Sequence, residues 1–527
     1  MFGPRAHPRS GFASAWLAGA LLAAPAAAGP LEFVSPRDPL VAELRVLDCY
    51  DLPADSGRFR LPHLSTLPLQ RVELMGDGPP IGRGGSARSR VAERIERELQ
   101  RDAVGAFTDA RARRSTPRTL QRVGPDDERV ELSIAFEGDW DVTREAGVTH
   151  AQARDGTGLH VRTGVQLARW QALLHLALGE LHGASRYTDV LVTNTNIAAQ
   201  TDEAYLSYSA GTRWNVAVGR QRIAWGPGEE GSLLFSRTAT PLTGLWIHAR
   251  LHALRADGFI FDATTDPGRG EQLAGHRLEW QPTSGLRLGV GEAARYHASG
   301  WQGVYVAGVI PYSIAQRLLA QDGDTAGVNR NNIELAFDAA WRPADGTRVY
   351  GEVLIDDVHA KTGSIPNKYG AQLGLDGAWT RGITRLTWNA EYTWLSRYVY
   401  TSFFGRSFMA QAQPLGYFTG PDARRLHTRV TWDPRVDWQV SLVATRTWKG
   451  ENGLDEPFIP GMRVPDVAAL EGTPEVADDV TGIVRWWPAN GVDLSLALGW
   501  QRRDGADHVA GAERHGAHAY LGVRLAR

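Results

Sequence analysis

The residues with the most chemical capacity lie in one glycine-rich turn and two aromatic stretches. In Gly219-Arg-Gln-Arg-Ile-Ala-Trp225-Gly-Pro-Gly228-Glu-Glu-Gly-Ser232-Leu-Leu-Phe-Ser236, Arg220 and Arg222 leave an alternating segment just before a run of turn residues. Guanidinium groups take the carboxylates or phosphates of an acidic glycan through paired hydrogen bonds; alternatively they pair with carboxylates of the chain and hold a loop folded inward. The aromatic stretches carry Trp301, Tyr305 and Tyr312, then Tyr398, Tyr400, Phe403, Phe404, Tyr417 and Phe418, with Arg406 beside Phe404. Aromatic rings stack on the C–H faces of sugars while nearby polar groups bind hydroxyls, or they form a loop core or an outer girdle. On the glycan-binding alternative the set is Trp301, Tyr305, Tyr312, Tyr400, Phe403, Phe404, Arg406, Arg220 and Arg222.

Catalysis finds less support. Asp356 and Asp357 are adjacent carboxylates at a strand end. Consecutive strand residues point to opposite faces, so the two do not face one another across a glycosidic bond. A salt bridge or loop anchor suits them better. The 15 histidines are scattered, and neither a Ser-His-Asp arrangement nor a metal-ligand spacing is present. No enzyme activity, cofactor or metal is expected. Cys49 is the single cysteine, which excludes an internal disulfide and reads as a buried or neutral thiol. The net charge of −2 offers no basic patch for nucleic acid.

The elements that must position these residues are strands. A turn recurs as Trp280-Gln-Pro-Thr-Ser-Gly285, Trp341-Arg-Pro-Ala-Asp-Gly346, Trp432-Asp-Pro-Arg-Val-Asp437 and Trp487-Pro-Ala-Asn-Gly491, with a looser copy at Trp379-Thr-Arg-Gly382. Each ends one alternating segment and starts another. An indole ring, apolar with one polar N–H, suits a membrane–water interface. Between residues 130 and 526 eighteen alternating segments can be read, joined by connections that are short and long in turn. In 492–502, Val492, Leu494, Leu496, Leu498 and Trp500 share one face, and Asp493, Ser495, Ala497 and Gly499 the other. The opposing face elsewhere carries both signs, as at Arg348, Glu352, Asp376, Arg385, Glu391, Arg425 and Arg429. This predicts an all-β fold: a transmembrane antiparallel β-barrel of about 18 strands over residues 126–527. The mean hydropathy of −0.29 fits, because lipid-facing residues alternate with polar ones. Residues 1–28 read as a secretory signal, with Arg5 and Arg9, an apolar run from Phe12 to Ala24, and Ala26-Ala27-Ala28. Residues 29–125 read as a small, partly helical periplasmic region, with helices starting at Asp38-Pro39 and spanning Ser89 to Phe107. The latter is a solvated cap or a docking surface for a periplasmic partner. The chain ends on Arg527 rather than on the aromatic residue common in such barrels.

The 219–236 stretch, followed by Pro241-Leu-Thr-Gly244-Leu245, resembles the Wzi family of capsule assembly proteins. Gly351-Glu352-Val-Leu-Ile-Asp356-Asp357 and Leu64-Ser-Thr-Leu67-Pro68-Leu-Gln-Arg71 resemble further segments of that family, so the likeness spans roughly residues 40–525. The resemblance implies an eighteen-stranded, non-enzymatic, lectin-like barrel in the bacterial outer membrane. Its implied partners are capsular or exopolysaccharide, outer-membrane lipid and periplasmic capsule-export components, with the chain itself a monomer. The competing reading is an outer-membrane porin for sugars or other small solutes. The alternation of loops puts both barrel termini in the periplasm. A tag inserted near Gly323 is then expected to be reachable by antibody on intact cells and one near Ala344 not; the reverse labelling pattern overturns this topology.

Overall fold

The computed structural model describes residues 33–37, 39–49, 64–70, 119–123, 128–145, 148–153, 157–180, 190–191, 195, 197–211, 213–263, 270–297, 302–306, 310–314, 331–357, 365–381, 384–403, 405–411, 413–435, 437–489 and 491–526. The leader at 1–28, the Ser89–Phe107 helix, Trp301 and Phe404 lie outside them.

Eighteen long strands build the molecule. They begin with β1 (Glu128–Glu145), β2 (Gly158–Leu167), β3 (Trp170–Glu180), β4 (Ile197–Ala210), β5 (Trp214–Gln221) and β6 (Leu242–Leu251). There follow β7 (Leu254–Asp262), β8 (Glu271–Thr283), β9 (Leu286–His297), β10 (Asn332–Ala344), β11 (Thr347–Asp357) and β12 (Lys368–Arg381). The last six are β13 (Thr384–Leu395), β14 (Ala423–Arg435), β15 (Trp438–Lys449), β16 (Glu475–Ala489), β17 (Val492–Asp504) and β18 (Glu513–Ala526). Each pairs antiparallel with its neighbours, and β18 closes on β1, with Gly516 opposite Glu145 and Ala526 opposite Ala135. Closure leaves no unpaired sheet edge, which hydrocarbon could not satisfy. The eighteen segments read from the alternation are these strands.

The recurrent Trp turn has a backbone reason. The strand register shifts between Trp280 and Thr283, Trp341 and Ala344, Trp432 and Arg435, and Trp486 and Ala489. Pro282, Pro343, Pro434 and Pro488 lie within these shifts. Proline has no N–H for the ladder, and a bulge removes it from the pairing. The residue before the proline turns its own N–H onto the adjoining turn: Gln281 to Ala253 O at 2.8 Å, Arg342 to Gly285 O at 2.8 Å, and Trp487 to Asp437 O at 2.9 Å. Gly346 and Gly491 take the positive φ that reverses the chain. The short-turn rim is thus stitched from one hairpin to the next. Trp280, Trp341, Trp379, Trp432 and Trp486 stand exposed around it.

The two faces differ as the alternation requires. Leu496, Leu498 and Trp500 are exposed on the outside, whereas Ser495 lines the interior. The lumen is filled in large part. α1 (Pro39–Asp48), the helix expected at Asp38-Pro39, buries Val41 and Leu44 and brings Asp48 to Arg287 and Arg348 on the barrel wall. The Phe33 ring meets Tyr205 and Trp246 edge-on at 5.2 and 4.9 Å. Thr66–Leu67 pairs antiparallel with Ala224–Trp225. The described pieces of the region expected to form a periplasmic part therefore enter the barrel and dock on its inner wall. They do so because their apolar and charged side chains find partners there.

Leu496→Arg is expected to lower stability by about 2–4 kcal/mol, the cost of Arg at bilayer mid-depth. Ser495→Arg, on the lumen side, is expected to cost less. Urea unfolding in lipid vesicles checks this, and equal tolerance of both substitutions would show the faces to be misassigned.

Candidate functional site

The glycine-rich turn after β5 folds into the barrel and is held there by carboxylates of the wall. Glu352 on β11 accepts the N–H groups of Leu233 at 2.9 Å and Leu234 at 3.2 Å. Glu391 on β13 accepts those of Glu229 at 2.6 Å and Glu230 at 3.4 Å. Tyr400 donates its hydroxyl to Leu233 O at 2.7 Å, and Gln372 its amide to Gly231 O at 3.0 Å. A Cβ on Gly226, whose φ is +133°, would lie 2.6 Å from Glu352 Oε2, so this position needs glycine. Burying a carboxyl group is costly unless it is hydrogen-bonded, and a hydrogen bond of this kind contributes about 0.5–1.5 kcal/mol.

The two glutamates of the turn are themselves paired. Arg425 grips Glu230 with Nε at 2.7 Å and Nη2 at 2.8 Å, and His427 lies 3.0 Å from the same carboxylate. Arg45 of α1 pairs with Glu229 and donates to Gly228 O at 2.7 Å. Burial alone would raise both carboxyls. For Glu229 the charges of Arg45, Arg237 and Arg429 overcome it, and for Glu230 the contacts of Arg425 and His427 do, holding each at about 2. Burial also pushes the Cys49 thiol up to about 12, so it stays protonated.

A second layer lies over this turn, formed by the long connections. Tyr305 stacks on Tyr296 at 4.2 Å, and Tyr312 packs on the His276 ring at 4.4 Å while giving its N–H to Glu292. Tyr400 gives its N–H to Asp356 Oδ2 at 2.7 Å, and Lys368 reaches Thr401 O at 2.7 Å and Asp356 at 3.4 Å. Asp356 is thus a loop anchor. Arg295 holds Glu271 and donates to Ser407 O at 2.5 Å and Met409 O at 2.8 Å. What this layer presents outward is Phe403 and Phe418, both exposed, together with Ile459 and Met462. Phe418 stacks on Tyr417 at 4.7 Å and carries the Arg425 guanidinium 5.3 Å from its ring centre.

The expected binding residues divide accordingly. Tyr305, Tyr312 and Tyr400 are buried and pack within the loop layer, whereas Phe403 is exposed. Arg406 is largely buried, with Glu271 at 4.0 Å. Arg222 pairs with Asp202 at 2.8 Å and donates to Ala239 O at 2.5 Å, which is the inward-folded alternative of the two readings. Arg220 is half-buried beside it. Sequence reasoning left Phe418, Glu229 and Glu230 out of the set, although two glutamates between turn glycines facing lumen arginines are the signal that finds the last two. Among the described residues no group of three or more His, Cys, Asp or Glu is placed to hold a metal ion.

A carboxyl held below its usual value near 4.5 stabilises the folded state above that value, and the contribution is lost as pH falls towards 2. Pepsin cleavage within residues 222–241 is therefore expected to rise between about pH 4.5 and pH 2, with the midpoint moved upward in Arg425→Gln. Coincident profiles for the two proteins would refute the assigned pairing.

The Wzi capsule assembly protein family matches residues 105–517. Among solved structures, Wzi of Escherichia coli aligns at a TM-score of 0.62 and 15% identity, over 94% of this chain and 99% of that one. That protein is described as an outer membrane protein involved in group 1 capsule assembly and as a carbohydrate-binding β-barrel. The outer membrane channel DcaP of Acinetobacter baumannii aligns at 0.37 and 13% identity, over 77% and 99% of the two chains. OprD of Pseudomonas aeruginosa aligns at 0.40 and 10%, over 75% and 95%. No curated protein sequence matches the chain.

Proposed function

This chain belongs to the Wzi capsule assembly protein family, and from that premise we propose that it binds capsular or other surface polysaccharide at the outer membrane and attaches it there without cleaving it. The observation that carries the reading is the anchored loop layer. Tyr400, Asp356, Lys368 and Arg295 fix its underside, and Phe403 and Phe418 are left on its outer surface. Rings held in this way bind sugar faces with little conformational entropy to lose. Trp301 and Phe404 join Phe403 in this proposal as ring residues of the same two aromatic stretches. Tyr305, Tyr312, Tyr400, Arg406, Arg220 and Arg222 serve it from beneath, by holding the layer. The carbohydrate binding described for the E. coli structure supports the same assignment. The engagement of Asp356, Glu352 and Glu391 in loop contacts argues against a hydrolytic role. We further place residues 1–28 as a cleaved leader and both barrel termini in the periplasm. Periplasmic capsule-export components would then meet the short-turn rim of a monomer embedded in lipid.

A porin reading has one observation in its favour: the inner face of β15–β18 keeps solvent-accessible polar side chains, Arg485 among them. Conductance in a planar bilayer separates the two. Phe403→Ala with Phe418→Ala is expected to shift polysaccharide from the cell-bound to the released fraction, with total polysaccharide unchanged and heat-modifiable gel mobility normal. Wild-type retention in that double variant would rule out the outer loop surface, and a fall in total polysaccharide would point to export instead.

A further inference from the structure

The described N-terminal segments, residues 33–37, α1 and 64–70, pack against the glycine-rich turn and one side of the wall, and a cavity of about 530 Å³ lies beside them towards the short-turn rim. It lies between α1 and the inner faces of β12–β18 and β1, within the roughly 300–1,000 Å³ typical of small-molecule sites. Most of its charges are already matched. Arg385 pairs with Asp433 at 2.7 Å, Arg524 with Glu137 at 2.9 Å, and Asp376 with Arg348 at 2.6 Å. Asp139 accepts the Tyr520 hydroxyl at 2.5 Å.

One guanidinium group is left over and a second is only loosely paired. Arg485 on β16 is exposed to the cavity and makes no hydrogen bond or ion pair among the described residues. Arg429 on β14 lies 3.8 Å from Glu229, a carboxylate that Arg45 already holds, and its side chain is 41% exposed. Asn389, buried in the same wall, spends its amide N–H groups on Tyr350 and Asp376 and leaves Oδ1 without a donor. Ser495 and Tyr520 add hydroxyls. A cation without a partner, a second that is half-exposed and loosely paired, an acceptor without a donor and hydroxyls lining one cavity are complementary to a ligand that carries carboxylates and hydroxyl groups together.

We propose that this cavity is a second saccharide site, at the end of the barrel opposite the long loops, and that it takes one or two rings of an acidic sugar. Carboxylates pair with Arg485 and Arg429, and ring hydroxyls bond to Asn389 Oδ1, Ser495 and Tyr520. The saccharide class rests on the polysaccharide-binding reading above, whereas the charge and acceptor inventory does not.

Isothermal titration of the detergent-purified full chain with digalacturonic acid, neutral lactose and inorganic phosphate tests it. Digalacturonate is expected to bind, with lactose and phosphate each at least about tenfold weaker, because neither supplies both groups. Arg485→Gln is expected to weaken digalacturonate binding about tenfold and Arg485→Lys less, since charge survives but the paired geometry does not. Leu498→Ala, on the lipid face, is expected to leave it unchanged, and heat-modifiable gel mobility confirms folding of each variant. Absent binding, phosphate binding as tight as digalacturonate, or full binding in the Arg429→Gln, Arg485→Gln double variant would each overturn the site. Loss of binding in Phe403→Ala with retention in Arg485→Gln would place the sugar on the loop layer, which refutes the cavity and leaves the outer-surface reading standing. Cavity binding in a protein whose polysaccharide retention ignores Phe403 and Phe418 would do the opposite.

Discussion

The structure depends on a set of buried backbone N–H groups finding carboxylates. The turn at 226–236 runs through the lumen with no sheet to join along most of its length, and a buried N–H without a partner is costly. Glu352 and Glu391, projecting inward from two separate strands, accept four of these groups. The turn in turn supplies the surface on which everything else rests. Leu233 O holds the Tyr400 hydroxyl, Ala224–Trp225 pairs with Thr66–Leu67, and Glu229 receives Arg45 of α1. Removing either wall carboxylate would therefore unseat the loop layer, the turn and the N-terminal plug together, because all three share that turn as their support.

This support explains an uncommon backbone feature. Tyr398 and Tyr400 have φ of +71° and +69°, a region that costs a non-glycine residue roughly 1–2 kcal/mol. Tyr400 keeps that conformation because its N–H, hydroxyl and ring are each committed: to Asp356, to Leu233 O and to Phe408. Such over-determination is found where a loop must hold one shape. The outward residues Phe403 and Phe418 both follow this fixed point in sequence, Phe403 by three residues, so their placement is inherited from buried contacts and not from any property of their own.

How far the fold can be read from the residues follows from the range of the interactions involved. The barrel was legible because period-two alternation and Trp-X-Pro turns are local: Trp432, Pro434 and Arg435 announce a bulged hairpin within four residues. The inner-wall charges Glu352, Glu391, Arg348 and Arg425 were legible as inward-facing for the same reason. Their partners were not. Leu233 is 119 residues from Glu352, and Glu229 is 162 from Glu391. No periodicity links such positions. The aromatic crowding at 301–312 and 398–418 marked the loop layer, but a ring that stacks on sugar and a ring that stacks on tyrosine look alike in sequence. In the structure Tyr305 stacks on Tyr296 and Tyr400 on Phe408, all buried, whereas Phe403 is exposed.

Among the described residues the inner wall is covered unevenly, and its charges differ accordingly. The inward charges of β7–β13, such as Arg255, Arg277, Asp338 and Arg348, are almost fully buried and closely paired. Desolvation of this kind makes an ion pair rigid and specific more than it makes it stabilising. Towards the short-turn rim, inward charges of β14 and β16 lie against the cavity, so Arg429 and Arg485 stay exposed. A charge that has not been desolvated by folding is the one that still has interaction energy to offer a ligand. The same barrel thus separates its two tasks by wall: paired charges on one side hold residues 66–68, α1 and the glycine-rich turn in place, and on the other Arg485 keeps its charge for a ligand.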